Sequence, residues 1–321
     1  MRNKKAEIDL PFSWLFAIIV GAVIIFIAIY AVSQFIGSQQ YTINTATAKE
    51  LSIVFDSMET GAAAIKKPGA VKFSDEIRIY NKCYLGEIFG FQKFSLSSKG
   101  FGNKWSEPGG EIKVVNKYVF SDEIEQGKEF FFFAKPFDFP FKVSEIIFIS
   151  KKKYCFVDAP NFIKDEIDWL NSNGVENVYT SEECIPGDFE VCFGYENCDI
   201  KVAGNCKNYG CENDFDYGSV SKNGKTAYYS GSLIYGAIFS DYNIYECNVK
   251  RLMKRFSQLA YLYYDEAIFL QSKGCGSEIA TDLVLAANMA KDIDSSVELI
   301  NLYSQTRILY EKNNIRECSL W

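Results

Sequence analysis

Apolar residues fill one long segment near the start of the chain. The 25 residues from Phe12 to Ile36 carry no charge, and the uncharged stretch extends from Leu10 through Ala48. As a helix this segment is about 37 Å long, which exceeds the roughly 30 Å of a bilayer's hydrocarbon core. The pattern predicts a transmembrane helix over 12–36. A cleavable signal peptide, whose apolar region has about 7 to 15 residues, is the alternative.

Helical spacing of apolar residues continues beyond this segment. From Gln39 to Ala64 the chain is rich in helix formers, and Lys67-Pro68-Gly69 then supplies residues that end helices. We therefore expect a helical stalk over 37–66. The apolar residues that recur at helical intervals within it are Leu51, Val54, Phe55 and Met58.

Short runs of alternating apolar and polar residues occupy the next part of the chain. Between Val71 and Val157 these runs are separated by turn-forming residues, which is typical of a sheet. Asn161–Gly174 has a helical pattern and precedes the strand-like VENVYT, so one β-α-β unit is expected. The patterns predict a β-rich domain over 67–240.

A dense aromatic run lies inside this predicted sheet. EFFFFAKPFDFPF, from Glu129 to Phe141, contains seven phenylalanines. Such a run predicts a strand buried on both faces. If it were exposed, it would form a docking surface or a membrane-facing patch.

Helical periodicity returns in the C-terminal part. After the strand-like segment Thr226–Gly236, a long helix is predicted over Asp241–Lys273, and two shorter helical patterns follow it. We expect a helical hairpin or bundle over 241–321. The predicted fold class of the whole chain is α+β, with a single N-terminal transmembrane helix and a disulfide-stapled domain.

All ten cysteines follow the apolar segment, and an even number in this position favours disulfides in an oxidising compartment. Structural zinc is the competing interpretation, which the absence of histidine disfavours. Five cysteines within 184–211 predict a loop-rich insert, and their odd number requires a link outside it. The disulfide candidates are Cys83, Cys155, Cys184, Cys192, Cys198, Cys206, Cys211, Cys247, Cys275 and Cys318.

Helix lengths suggest one specific disulfide. Cys247 and Cys275 lie on one predicted helix, about 42 Å apart, whereas bonded cysteines have Cα atoms within roughly 7 Å. The two following helices are long enough to run back and bring Cys318 close to Cys247. We therefore expect a Cys247–Cys318 bridge, with Cys275 paired to the 184–211 insert or the sheet. Pairing of Cys318 with the insert is the alternative.

Charge predicts the orientation and the class of partner. Arg2, Lys4 and Lys5 precede the span, whereas Lys49 and Glu50, the first charges after it, cancel. Residues 1–11 are therefore expected in the cytoplasm and the large domain outside, in the cell membrane. The formal net charge of −7 disfavours nucleic acid as a partner. The membrane is the expected partner, with another envelope or membrane protein as a further one.

Most hydrolase chemistry is excluded because the chain has no histidine. Carboxylate pairs such as Asp165-Glu166 and Glu182-Glu183 are frequent in an acidic chain and carry little weight. Ser219-x-x-Lys222 and Ser150-Lys151-Lys152-Lys153 have the spacing of a serine–lysine pair, but solvated loops are the preferred interpretation. No catalytic residue, metal ligand or cofactor site is assigned.

Two further charged patterns have a structural and a functional interpretation. CENDFDYG places Glu212, Asp214 and Asp216 at alternate positions before Gly218, as a calcium loop does, although the glycine lies one place late. An acidic loop is preferred to calcium binding. A basic stripe on the long predicted helix is expected to face solvent, with an acidic partner or lipid headgroups as the alternative. It consists of Lys250, Arg251, Lys254 and Arg255.

Several short motifs resemble a group of uncharacterised archaeal single-pass membrane proteins. They are KKAEIDLPFSWLF at the start, with the pattern K-x-x-I-x-x-P-F-x-W, and then YVFSDEI, PFKVSEIIFIS, YECNVKRLMKRF and the terminal ECSLW. Members often have Lys-Gly-Gln-Ile where this chain has Lys5-Ala6-Glu7-Ile8. The resemblance implies a membrane-anchored cell-surface protein and carries no known activity.

Three classes of function follow from the sequence. The preferred one is a cell-surface protein that binds or supports another envelope component. A pilin-like or assembly subunit is the second, because the predicted helix runs from membrane into stalk. A membrane-tethered enzyme is the third, and the missing histidine disfavours it.

Overall fold

The computed structural model describes residues 12–60, 68–86, 88–100, 103–194, 197–205, 215–275, 278–314 and 319–321. Within these residues the chain forms six α-helices and two six-stranded sheets. The mixed α and β composition and the single N-terminal apolar helix agree with the sequence prediction. The helices are α1 (Phe12–Thr60), α2 (Asn161–Ser172), α3 (Leu233–Phe239), α4 (Tyr242–Ser272), α5 (Ile279–Lys291) and α6 (Leu299–Asn314).

Sheet 1 is formed by the first half of the chain. Its strands are β1 (Gly69–Tyr84), β2 (Phe91–Ser98), β3 (Ile112–Val115), β4 (Tyr118–Phe120), β5 (Ile124–Asp138) and β6 (Lys142–Ser150). They lie in the order β3-β2-β1-β5-β6-β4. All neighbours are antiparallel except β4 and β6, which are parallel. The sheet is curled, since the Gln92 side chain of β2 bonds both backbone groups of Val119 in β4.

Sheet 2 follows directly. Its strands are β7 (Tyr154–Val157), β8 (Val178–Thr180), β9 (Phe189–Phe193), β10 (Ile200–Gly204), β11 (Tyr217–Lys222) and β12 (Lys225–Ser230), in the order β12-β11-β10-β9-β7-β8. β7, α2 and the parallel strand β8 form the β-α-β unit that the sequence predicts. The 184–211 insert was expected to be loop-rich, but it contains β9 and β10. Both strands fit because Val191, Phe193 and Val202 alternate inward into the core.

α1 is one unbroken helix of 49 residues. The large apolar side chains from Phe12 to Ile36 are exposed, and the second half of the helix packs on sheet 1. Ala48, Leu51, Phe55 and Met58 are each at most 4% exposed and share a core cluster with β1, β2, β5 and β6. The described part of the expected stalk, up to Thr60, therefore packs on the domain, because sheet 1 covers its apolar face.

The phenylalanine run forms β5 and the turn after it, and it is buried on both faces as the sequence predicts. Phe130 and Phe132 join the core under α1, whereas Phe133 and Phe137 face the second core, between sheet 2 and the C-terminal helices. Phe139 and Phe141 continue that second core and pack against Phe256 of α4. The strand thus separates the two cores.

The strand expected over Thr226–Gly236 ends early. β12 stops at Ser230, and α3 begins at Leu233. All seven residues of α3 are buried, which removes the alternation that a half-exposed strand requires. Gly236 allows α3 to pack closely on β4, because a Cβ atom at this position would lie 2.8 Å from Phe120.

A buried polar network joins sheet 1 to α4. Arg251, expected on a solvated stripe, is completely buried. Its Nη1 donates to Asn248 Oδ1 at 2.7 Å and to Gln92 Oε1 at 3.1 Å, and its Nε donates to the carbonyl of Phe89 at 3.0 Å. Burial lowers the pKa of Arg251 to about 10. The sequence stripe was misread because the face of α4 that carries Arg251 packs on the sheet.

A disulfide between Cys83 of β1 and Cys247 of α4 also links sheet 1 to α4. The expected Cys247–Cys318 bridge is therefore wrong, and Cys318 lies outside the described residues. The prediction from helix lengths failed because the first turns of α4 pack on β1, which is distant in sequence. Cys155–Cys184 gives the insert its predicted outward link, and Cys192 pairs with Cys198. Cys275 is also disulfide-bonded.

Replacing Gly109 by alanine should loosen the docking of α1. A Cβ atom at Gly109 would lie 2.6 Å from the backbone nitrogen of Thr45 and 2.9 Å from the carbonyl carbon of Asn44. We expect Gly109→Ala to lower the free energy of unfolding by about 1–3 kcal/mol. Gly100→Ala is the control, because its nearest neighbour is at 3.8 Å. Equal unfolding midpoints for both variants in chemical denaturation would contradict this account.

Removing the Cys83–Cys247 bridge should cost more stability than removing Cys192–Cys198. The bridges span 164 and 6 residues, and chain-entropy estimates give about 5 and about 2 kcal/mol respectively. The two double-alanine variants can be compared by chemical denaturation of the full chain in detergent. An equal loss of stability would show that the long bridge does not constrain the unfolded chain.

Candidate functional site

Five ionisable side chains meet where the two sheets and the start of α4 come together. Asp122 follows β4, Glu125 lies in β5, Lys152 links β6 to β7, Lys222 ends β11 and Asp241 precedes α4. We call these five residues the charged cluster. They converge because β6 and β7, consecutive in the chain, belong to different sheets, so the link between them crosses the junction.

Hydrogen bonds and one ion pair fix these side chains. Lys152 forms an ion pair with Asp122. Lys222 Nζ donates to the carbonyl of Ile238, at the end of α3, at 2.8 Å. The Asp241 carboxylate accepts a bond from the backbone nitrogen of Glu123 at 2.8 Å. Every element at the junction is thus held by at least one side chain of the cluster.

Burial changes the proton affinity of the cluster. Glu125 is 2% exposed, and burial together with the nearby Asp122 raises its pKa to about 8. Burial lowers the pKa of Lys222 to about 8, against the attraction of Asp122. Burial also raises the pKa of Asp122, which the positive charge of Lys152 opposes. An acid and an amine therefore titrate close together near neutral pH, which is a feature typical of functional sites.

Lys222 lines two cavities beside the cluster. The larger, of about 250 Å³, lies between the β11–β12 turn and the start of α4 and also contacts Asp241 and Lys225. The smaller, of about 70 Å³, contacts Asp122, Lys152 and Tyr154. Both signs of charge face these cavities. The arrangement can bind a small polar molecule and exchange a proton with it.

A third cavity, of about 420 Å³, lies near the cis Phe139–Pro140 bond. Asp138 and Asp216 contribute carboxylates, and Arg307 lies against the ring of Tyr310. Burial raises the pKa of Asp138, and Lys142 opposes this. Within the described residues no group of three or more cysteine, aspartate or glutamate side chains is placed to hold a metal ion.

The structure separates the proposed serine–lysine pairs. Ser219 and Lys222 are three residues apart on β11, so their side chains point to opposite faces of sheet 2. Ser150 is buried, and its hydroxyl donates to Tyr154 Oη at 3.4 Å. The solvated loop expected at Ser219–Lys222 is wrong, because both residues lie in β11. Lys151–Lys153 do form a loop, in which Lys151 and Lys153 are exposed and Lys152 belongs to the charged cluster.

The carboxylate pairs do not converge on a site. Glu166 accepts a bond from the hydroxyl of Tyr235 at 2.7 Å and pairs with Lys135, whereas Asp165 is exposed. Glu182 and Glu183 are exposed in the turn after β8. Glu212 and Asp214 of the suggested calcium loop lie outside the described residues.

Sequence patterns did not reveal Asp122, Glu125 or Asp241. Each is one of many acidic residues, and Glu125 alternates correctly for an outward position in a half-exposed strand. The available signals were the weak serine–lysine spacings that contain Lys152 and Lys222. Burial of the cluster depends on sheet 2 covering sheet 1, which no local pattern encodes.

The chain matches no protein-family model, and comparisons with curated proteins and with solved structures gave no significant match.

Glu125→Gln should remove a pH-dependent loss of stability. The folded chain keeps this proton up to about pH 8, whereas the unfolded chain releases it near the ordinary value of 4.5. Raising the pH through this window therefore favours the unfolded state. We expect the variant's stability advantage to grow from about pH 4.5 to about pH 8, reaching on the order of a few kcal/mol.

Thermal unfolding of the full chain in detergent, repeated across this pH range, measures the effect. Glu123→Gln is the matched control, because Glu123 is an exposed neighbour on the same connection. Parallel pH profiles for wild type and Glu125→Gln would show that Glu125 is not the group responsible. Lys222 acts at higher pH, since its lowered pKa makes stability rise between about 8 and 10.5.

Proposed function

We propose that this chain is a single-pass membrane protein whose N-terminus is cytoplasmic and whose domain lies outside, where it binds or supports another envelope component. The observation that carries the proposal is α1. Its first half exposes a continuous apolar surface, and its second half belongs to the core of the domain.

The exposed half of α1 suits a bilayer better than water. α1 is long and apolar enough to span a membrane, and its apolar window is not covered by the domain. Exposed apolar surface of this extent marks a membrane or protein interface. The disulfides support an oxidising compartment for the domain, and the basic residues before the span support a cytoplasmic N-terminus.

A binding or supporting role agrees with the continuous helix that connects the exposed apolar segment to the domain. The chain passes from the exposed apolar segment to the core of the domain within one helix, without a linker. Such a domain keeps a fixed height and tilt above the bilayer. A fixed orientation favours contact with a neighbouring membrane component, whereas a flexible tether favours reach.

An assembly subunit is the second candidate, and the same unbroken helix favours it. A helix that is apolar and exposed in its first half can pack against copies of itself as well as against lipid. In that case peptidase processing at Ala6-Glu7 would precede assembly. The departure from Lys-Gly-Gln-Ile at Lys5-Ala6-Glu7-Ile8 counts against such processing.

Protease protection tests the proposed topology. Protease added outside intact cells should cleave the chain beyond Lys49, while a tag placed at Arg2 should stay protected until the membrane is permeabilised. Cleavage of the tag with protection of the domain would reverse the orientation. N-terminal sequencing of the same material distinguishes the two candidates, because a mature chain that begins near Glu7 indicates processing for assembly.

A further inference from the structure

Contacts between α1 and sheet 1 follow the helix in order. Gln40 and Asn44 both hydrogen-bond Ser98, at the end of β2. One residue further, Thr45 Oγ1 accepts a bond from the backbone nitrogen of Gly110 at 2.7 Å. The end of β2 therefore lies level with the part of α1 that follows the apolar segment.

The start of β2 and the end of β3 lie beside the C-terminal part of α1. Phe94 of β2 packs on Phe55 with ring centroids 5.0 Å apart. Lys117, just after β3, pairs with Glu59 at 3.1 Å. β2 therefore runs antiparallel to α1, with Ser98 as its end nearest the apolar segment and Phe91 as its far end.

These contacts fix the height of the hairpin that follows β2. Gln40 lies four residues after Ile36, about 6 Å along the helix. The polar layer on each side of a bilayer's hydrocarbon core is about 5–8 Å thick. Lys99 and Trp105 form a bridge pair directly beyond Ser98, so the hairpin extends further toward Ile36. If α1 spans a bilayer as proposed, the hairpin lies at the height of the lipid headgroups.

The side chains of this hairpin are those typical of a membrane interface. Lys104 is exposed and Trp105 is half-buried. The Arg78 guanidinium stacks on the Trp105 ring at 3.9 Å, and Lys99 lies 5.9 Å from the same ring. Tryptophan and basic residues concentrate at the headgroup level of membranes.

One acidic group beside the hairpin, Glu76, is engaged with its neighbours, whereas Asp75 next to it is exposed. Glu76 binds Lys99 at 2.9 Å and accepts a bond from Gln126 at 2.7 Å. Glu107 is exposed but lies on the helix side of the hairpin, where its carbonyl accepts a bond from Asn44. Lys104 is exposed beside them.

We propose that the hairpin around Lys99, Lys104 and Trp105 docks on the phosphate headgroups of the bilayer that holds α1. The inference rests on the proposed function, because α1 supplies the bilayer. Gly109 brings the segment after the hairpin against the backbone of α1, which prevents the hairpin from swinging away. Headgroup contact then makes a second attachment beside the span and fixes the rotation of the domain about α1.

Depth-dependent quenching of tryptophan fluorescence tests this docking in the full chain. The chain is reconstituted in nanodiscs of phosphatidylcholine and phosphatidylglycerol that contain a lipid with a nitroxide near the headgroup. Three single-tryptophan chains are compared, with the other tryptophans replaced by phenylalanine. They retain Trp105, retain Trp14, or carry Ile88→Trp as the matched control.

Ile88 is 74% exposed and lies in the hairpin that precedes Phe91, and Phe91 is about 23 Å from Ser98 along β2. We expect the nitroxide to reduce the emission of Trp105 about twofold or more and to leave Ile88→Trp unchanged. Trp14 should be quenched as well, because it lies in the span. Quenching of Trp14 without quenching of Trp105 would overturn the docking and leave the span intact. Unquenched Trp14 would instead overturn the proposed function.

A charge variant tests the headgroup chemistry in an otherwise natural hairpin. With Trp105 as the only tryptophan, quenching should increase with the phosphatidylglycerol fraction, and Lys104→Gln should weaken that increase. Lys113→Gln on β3 is the matched control. Lys113 lies opposite Lys93 in the register of β2 and β3, away from the end of β2 that leads into the hairpin. An increase that survives Lys104→Gln unchanged would overturn headgroup binding by this hairpin.

Discussion

The docking of the second half of α1 on sheet 1 is the contact on which the rest of the structure depends. In proteins most of the stability of a helix comes from the packing of its amphipathic face, so that face must be covered. Leu51, Phe55 and Met58 find it against one face of the sheet. The sheet, in turn, has one of its two apolar faces covered by the same helix that carries the exposed apolar segment. The exposed apolar segment and the domain therefore form one body.

The same face of sheet 1 is joined to α4, at the start of β2, by a different kind of contact. Arg251 is buried among amide and carbonyl oxygens and forms no ion pair among the contacts described for it. An uncompensated buried charge is costly, so each of these oxygens must be in place. The network therefore specifies one position of α4 on the sheet. The apolar contacts around it supply stability but tolerate more than one packing.

Periodicity in the sequence correctly predicted several elements of the fold. The apolar segment, the β-α-β unit and the buried faces of β5 are all readable from periodicity. The partner of Cys247, the burial of Arg251 and the convergence of the charged cluster are not. Each depends on which elements of the fold pack against each other. That packing is determined by residues far apart in the chain. The short helix α3 was missed because a segment buried on all sides has no alternation to read.

The long separation between Cys83 and Cys247 also constrains how the chain is made. In the proposed topology, Cys83 emerges from the membrane 164 residues before its partner. Cys155, Cys184, Cys192 and Cys198 all arrive in the interval, and each is a thiol with which Cys83 can pair wrongly. The receiving compartment must either delay oxidation of Cys83 or exchange early pairs for the native one. In that topology, biogenesis of this protein requires delayed oxidation of Cys83 or thiol–disulfide exchange, in addition to an oxidant.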